Sequence, residues 1–183
     1  MDLLKRSLAE GIGTLLLVFI GCGTVCMLGE SGDLFGIAAA FGLSVMVLIY
    51  TLGAVCGCHI NPAVSVALCA VRKFPVKDTA AYCAAQCIGA ALGALLLIAV
   101  MGMEALTVGG LGMTAPAPGV SLFQAFLAEF IGTFVLMLVI MLIVGSLLGY
   151  KMNQMLTDNI ENQLTEQAVM LAEHVDQSIM IQF

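Results

Sequence analysis

Residues 56–72 impose the tightest constraint on what this chain can become. An apolar run stops at Cys56-Gly57-Cys58-His59-Ile60, and Asn61-Pro62-Ala63-Val64-Ser65 then reads as a helix start. Asn is a favoured N-cap, and Pro suits the first helical position because the N–H it lacks would have no partner there. The helix can run over residues 62–72 before Arg72-Lys73-Phe74-Pro75 halts it. That is about half of the ~20 residues a bilayer requires, so the segment must enter and leave on one side. Irregular backbone beside a half-length helix is tolerated at membrane depth only where protein buries it or where it lines water. The stretch is therefore a candidate permeation site, with the positive end of a helix aimed into a polar path.

The surrounding sequence supplies the membrane. The chain is 61% hydrophobic and 10% charged, whereas soluble domains carry about 25% charged residues. Apolar spans are expected at about 8–28, 35–55, 79–101 and 121–149. Lys5 and Arg6 precede the first span as they would a signal peptide. Its apolar core exceeds the ~7–15 residues of such peptides, so it reads as a retained helix. Lys5, Arg6, Arg72, Lys73, Lys77 and Lys151 fall on one side, while the 29–34 turn and the 102–120 loop hold no Lys or Arg. The positive-inside rule then places the N-terminus in the cytoplasm. A multi-pass protein of the cell membrane, a bacterial inner membrane by expectation, follows. No basic patch suggests nucleic acid.

Polar and small residues inside the spans are the next signal. Glu10 lies just inside span one, where a carboxylate either reaches interfacial water or accepts hydrogen bonds from irregular backbone. Gln86 is the uncharged polar group of span three. Gly11, Gly13, Gly21 and Gly23, with Gly89 and Gly93 in span three, suit close helix packing. Phe41 stands among Ala38, Ala39, Ala40 and Gly42, an aromatic that by default is core. Seven cysteines in apolar segments are no disulfide framework, and Cys56-x-Cys58-His59 makes a poor metal site. No nucleophile–base pair or phosphate loop appears, so neither an enzyme nor a cofactor is expected.

The chain also repeats itself. Leu8-Ala9-Glu10-Gly11-Ile12-Gly13-Thr14-Leu15-Leu16-Leu17 matches Leu127-Ala128-Glu129-Phe130-Ile131-Gly132-Thr133-Phe134-Val135-Leu136 at seven of ten positions. Three spans separate the copies, so the second begins on the opposite side, as in the inverted repeats of transport proteins. A second Asn-Pro would be due near residue 180, yet no proline follows Pro118. From about Met141 the character changes. Residues 1–150 carry five basic and seven acidic side chains, net −2, and residues 151–183 carry one and five, net −4. Ile160, Leu164, Ala168, Leu171, Val175 and Ile179 form one apolar stripe of an amphipathic helix that calls for a helical partner.

Five elements together resemble the aquaporin, or major intrinsic protein, family. They are Ala9-Glu10-x-x-Gly13-Thr14, Gly57-x-His59-x-Asn61-Pro62-Ala63-Val64-Ser65, Arg72-Lys73-Phe74-Pro75-Val76-Lys77-Asp78, Ala85-Gln86-x-x-Gly89-Ala90 and Ala128-Glu129-Phe130-Ile131-Gly132-Thr133, covering residues 8 to about 141. The resemblance implies an all-α membrane protein: a first repeat of three transmembrane helices with a re-entrant half-helix, then a fourth transmembrane helix opening an incomplete second repeat. It implies a passive channel for water, with small neutral solutes beside it, and a homotetramer as the family's assembly. Asn61, with Pro62 and Ala63, would form half of a paired filter. Carbonyls of Gly57, Cys58 and His59 would line a vestibule, and Phe41 would belong to the selectivity constriction. Glu10, Gln86 and Glu129 would be structural supports. The family's second Asn-Pro-Ala and selectivity Arg have no counterpart here. The tail over 142–183 loosely resembles the first membrane helix and following helix of bacterial sensor proteins. Two expectations follow: a truncated or chimeric channel that does not conduct alone or, alternatively, a membrane-anchored signalling module acting through residues 151–183.

Overall fold

The structure is a computed structural model that describes residues 2–28, 31 and 33–180. Gly29, Glu30 and Gly32 of the expected polar turn lie outside the described residues, as do the side chains of Lys151, Val175 and Ile179. Five α-helices run in the order α1 (Leu3–Leu28), α2 (Leu34–Cys56), α3 (Pro62–Ala70), α4 (Val76–Met101) and α5 (Leu122–Met180). Two short 3-10 turns, Met103–Leu106 and Gly109–Gly112, join α4 to α5. No strand occurs among the described residues. α1, α2, α4 and the Leu122–Leu142 part of α5 are long and apolar enough to cross a membrane. An all-α, multi-pass membrane protein is what the sequence required.

The chain divides into two compact units, Met1–Ala128 and Glu129–Phe183. In the first, α1 is central: it packs against both α2 and α4, while α3 leans on α4. Glycine brings α1 and α4 to backbone contact. A Cβ placed on Gly89 would fall inside contact distance of Gly11 O and 2.8 Å from its carbonyl carbon, and one on Gly93 would stand 2.7 Å from Leu15 O. Without a hydrophobic drive between helices in lipid, such approach is what holds them together. The 102–120 loop folds back on the far end of α1, where the Cys26 thiol faces Ala105 O at 3.8 Å and Ala105 is buried.

Local signals set most helix ends. Asp33 Oδ1 accepts from Gly36 N at 2.9 Å to cap α2, which stops at left-handed Gly57. α3 closes by the Schellman pattern, with Arg72 N donating to Cys69 O and Lys73 N to Leu68 O. Arg72 itself takes the left-handed conformation there, at φ 59°. Two bounds differ from the sequence expectation. α1 begins at Leu3, five residues before the expected apolar span, and its Arg6 pairs with Asp78. α5 continues past Gly149 to Met180: no Gly or Pro interrupts residues 150–180, which are rich in good helix formers. On that extension Ile160, Leu164 and Leu171 stand exposed.

Candidate functional site

The residues between α2 and α3 adopt backbone that L-amino acids avoid. Gly57, Cys58 and Ile60 have φ of 88°, 53° and 42°. For Ile, a β-branched residue, positive φ is a genuine outlier, and such strain costs on the order of 1–3 kcal/mol per residue unless its surroundings over-determine it. They do so through Glu10. This carboxylate, fully buried, accepts from His59 N at 2.8 Å, Ile60 N at 2.6 Å and Gln86 Nε2 at 2.9 Å. No cation bonds to it among the described residues, so backbone dipoles and an amide supply the compensation that a buried charge needs. Gly13, one turn on, leaves room for Ile60, whose Cγ2 would lie 2.7 Å from a Cβ there.

A second set of contacts fixes the other side of the turn. Ser65, fully buried on α3, accepts from Gln86 Nε2 at 3.1 Å, and its Oγ lies 3.0 Å from His59 Nδ1. Glu10, Gln86, Ser65 and His59 thus close a ring of hydrogen bonds around the start of α3. Tyr82, also fully buried, donates to Cys56 O at 2.6 Å and so holds the last carbonyl of α2. The rings of His59, Phe74 and Tyr82 meet with centroids 4.7 to 5.2 Å apart, and Arg6, paired with Asp78, lies over Tyr82 at 5.8 Å.

This scaffold presents Asn61. Its backbone is extended, its Oδ1 accepts from Ala63 N at 2.8 Å, and Pro62 takes the first helical position. Among the described residues nothing accepts from its Nδ2, which leaves both of those donors for another molecule. Among the described residues nothing donates to the carbonyls of Gly57, Cys58 or His59. The turn therefore offers a run of acceptors followed by paired donors at the N-terminus of a short helix.

The expected residues are brought together unevenly. Gly57, Cys58, His59, Asn61, Pro62 and Ala63 sit on one turn, with Glu10 and Gln86 bonded to it or behind it. Phe41, half-buried on α2, lays its ring against Gly21 of α1. Glu129 is exposed on α5 and joins none of these hydrogen bonds. The sequence gives no site role to Ser65, Tyr82 or the Arg6–Asp78 pair, although Ser65 and Asp78 lie inside recognisable motifs. Among the described residues no group of His, Cys, Asp and Glu could hold a metal.

Comparison with known proteins converges on the same segment. The pattern of the Major intrinsic protein family matches residues 1–164. The chain belongs to the major intrinsic protein family. Aquaporin AqpM of Methanothermobacter marburgensis is 44% identical over 151 residues, and Probable aquaporin AqpM of Archaeoglobus fulgidus is 47% identical over the same length. Aquaporin Z of Brucella melitensis is 37% identical, covering 70% of this chain and 60% of its own. Each AqpM match covers 72% of this chain, which spans 61% of the relative. Aquaporins of the major intrinsic protein family are channels, not enzymes. The family match runs beyond Met141, where the motifs read from sequence give out, and takes in the first part of the polar tail.

Proposed function

We propose that this chain builds one wall of a passive, single-file channel for water, with small neutral solutes as further cargo. The observation that carries the reading is the Asn61 side chain. Its oxygen accepts from Ala63 N in capping α3, which leaves the amide nitrogen to donate to a passing molecule, next to three carbonyls that receive no donor among the described residues. Water moving along such a wall exchanges one set of hydrogen bonds for another at little cost. The positive end of α3 disfavours cations at the same point.

These 183 residues contain one Asn-Pro-Ala element, and the filter implied by the resemblance needs two. The polypeptide taken by itself is therefore proposed to conduct little. Two identical copies would enter from the same side and could not face each other. Stopped-flow light scattering on proteoliposomes tests both parts. The chain alone should stay near empty liposomes. Adding the part of AqpM that the chain does not cover should raise water flux, with an activation energy near that of bulk water. High flux from the chain alone would refute the first part; none from the complemented protein would refute the second.

The proposed setting is the cell membrane, a bacterial inner membrane, with the N-terminus cytoplasmic as the Lys and Arg positions imply, and a homotetramer is the proposed assembly. A signalling module acting through residues 151–183 is not favoured, since the family match overlaps that segment through residue 164.

A further inference from the structure

Gly21 of α1 lacks a side chain where the ring of Phe41 lies. A Cβ built there would stand 2.6 Å from both Cδ1 and Cζ of the ring, and nearer still to Cε1. Non-bonded carbons settle about 3.5–4.0 Å apart, so even one methyl group demands a shift of about 1 Å. α1 has no room to retreat, because Gly11 and Leu15 already meet Gly89 and Gly93 of α4 at backbone contact. The ring is the part that can give. Phe41 is half-buried, and beside it a Cβ on Gly42 would meet nothing within 4 Å. A helical aromatic has two χ1 wells open to it, so displacement means a swing into the other well or a tilt within the first.

We propose that Gly21 is a specificity-determining residue: by leaving space for the Phe41 ring, it sets the aperture that Phe41 presents to passing solutes. The inference rests on Phe41 belonging to the pore constriction, and it adds a residue on a different helix that fixes where the ring sits. The chemistry selected is size among uncharged polar solutes, water against urea or glycerol.

The test places 4-fluorophenylalanine at position 41 of the full chain and records its 19F resonance in detergent micelles. In Gly21→Ala the resonance should shift; in Gly42→Ala it should stay. A resonance unmoved by Gly21→Ala overturns the seating and leaves the pore reading standing. To separate ring displacement from general loosening, Gly21→Ala is repeated on a Phe41→Leu background. There it should lower thermal stability less than in the parent, and an equal loss on both backgrounds overturns the proposal. In the complemented pore, Gly21→Ala should alter the urea-to-water permeability ratio. A moved resonance with an unchanged ratio overturns the link to selectivity and tells against Phe41 as a constriction residue.

Discussion

Replacing Glu10 by Gln asks how much the shape of the Asn-Pro-Ala turn depends on one carboxylate. Oε2 receives two donors, Ile60 N at 2.6 Å and Gln86 Nε2 at 2.9 Å, while Oε1 receives His59 N at 2.8 Å. The amide oxygen of Gln can take the place of Oε2. Its NH2 must then face His59 N–H, donor against donor. One buried backbone N–H left without a partner costs about 1–3 kcal/mol, and the two surviving bonds each weaken by about 1 kcal/mol on losing the charge. Relief of the desolvation penalty on the buried carboxylate returns part of this. A net loss of about 2–4 kcal/mol is expected, directed at the turn because among the described residues the His59 and Ile60 amides have no other backbone partner. Hydrogen exchange is the assay. At ~1.4 kcal/mol per tenfold, the His59 and Ile60 amides should exchange roughly 30- to 1000-fold faster. Amides in the middle of α1 and α4 should change far less. Unchanged protection at His59 and Ile60 would refute the reasoning, as would uniform acceleration throughout the helices.

Four further outcomes follow from the same geometry. Asn61→Asp keeps a competent N-cap but removes the Nδ2 donors, so melting should hardly change while water flux of the complemented pore falls; the chain alone should show no difference in flux. Tyr82→Phe deletes the donor to Cys56 O without opening a cavity, and thermal denaturation in detergent should register a loss of about 1–2 kcal/mol. Gly89→Ala sets a methyl group against the carbonyl of Gly11 and should cost about 1–3 kcal/mol or more. Gly42→Ala, with open space around it, should be neutral or stabilise by up to about 1 kcal/mol in the same melting series.

Local rules carried much of this fold. Asn61 and Pro62 announced α3 because capping chemistry is written in adjacent residues, and the structure starts the helix at Pro62. Gly11, Gly89 and Gly93 announced close packing because small residues in apolar spans have few other uses, and α1 and α4 do meet there. Glu10 and Gln86 stood out as polar groups at membrane depth, where solitude is costly, and they bond to one another, Glu10 also to the turn and Gln86 to Ser65 of α3. What stayed hidden depended on long-range contact. Tyr82 looks like any aromatic in an apolar run, and its role appears only when Cys56 O arrives within reach. Arg6 looked like a flanking charge until Asp78 was brought beside it. Glu129 matches Glu10 by repeat, and it stands exposed on α5.

The ring of hydrogen bonds around the turn also makes its shape depend on distant parts of the chain. His59 and Ile60 lie 49 and 50 residues from the carboxylate that shapes them, and Gln86 lies 76 residues from it. The turn between α2 and α3 therefore takes its shape from α1, which precedes it, and from α4, which follows it. Glu10 holds the His59 and Ile60 amides while α4 brings Gln86 to that carboxylate and Tyr82 to Cys56 O, so the positive-φ backbone at Cys58 and Ile60 rests on both helices. The tip at Asn61 is thus tied to α4 as closely as to its own local sequence. A defect in α4 should be felt there first.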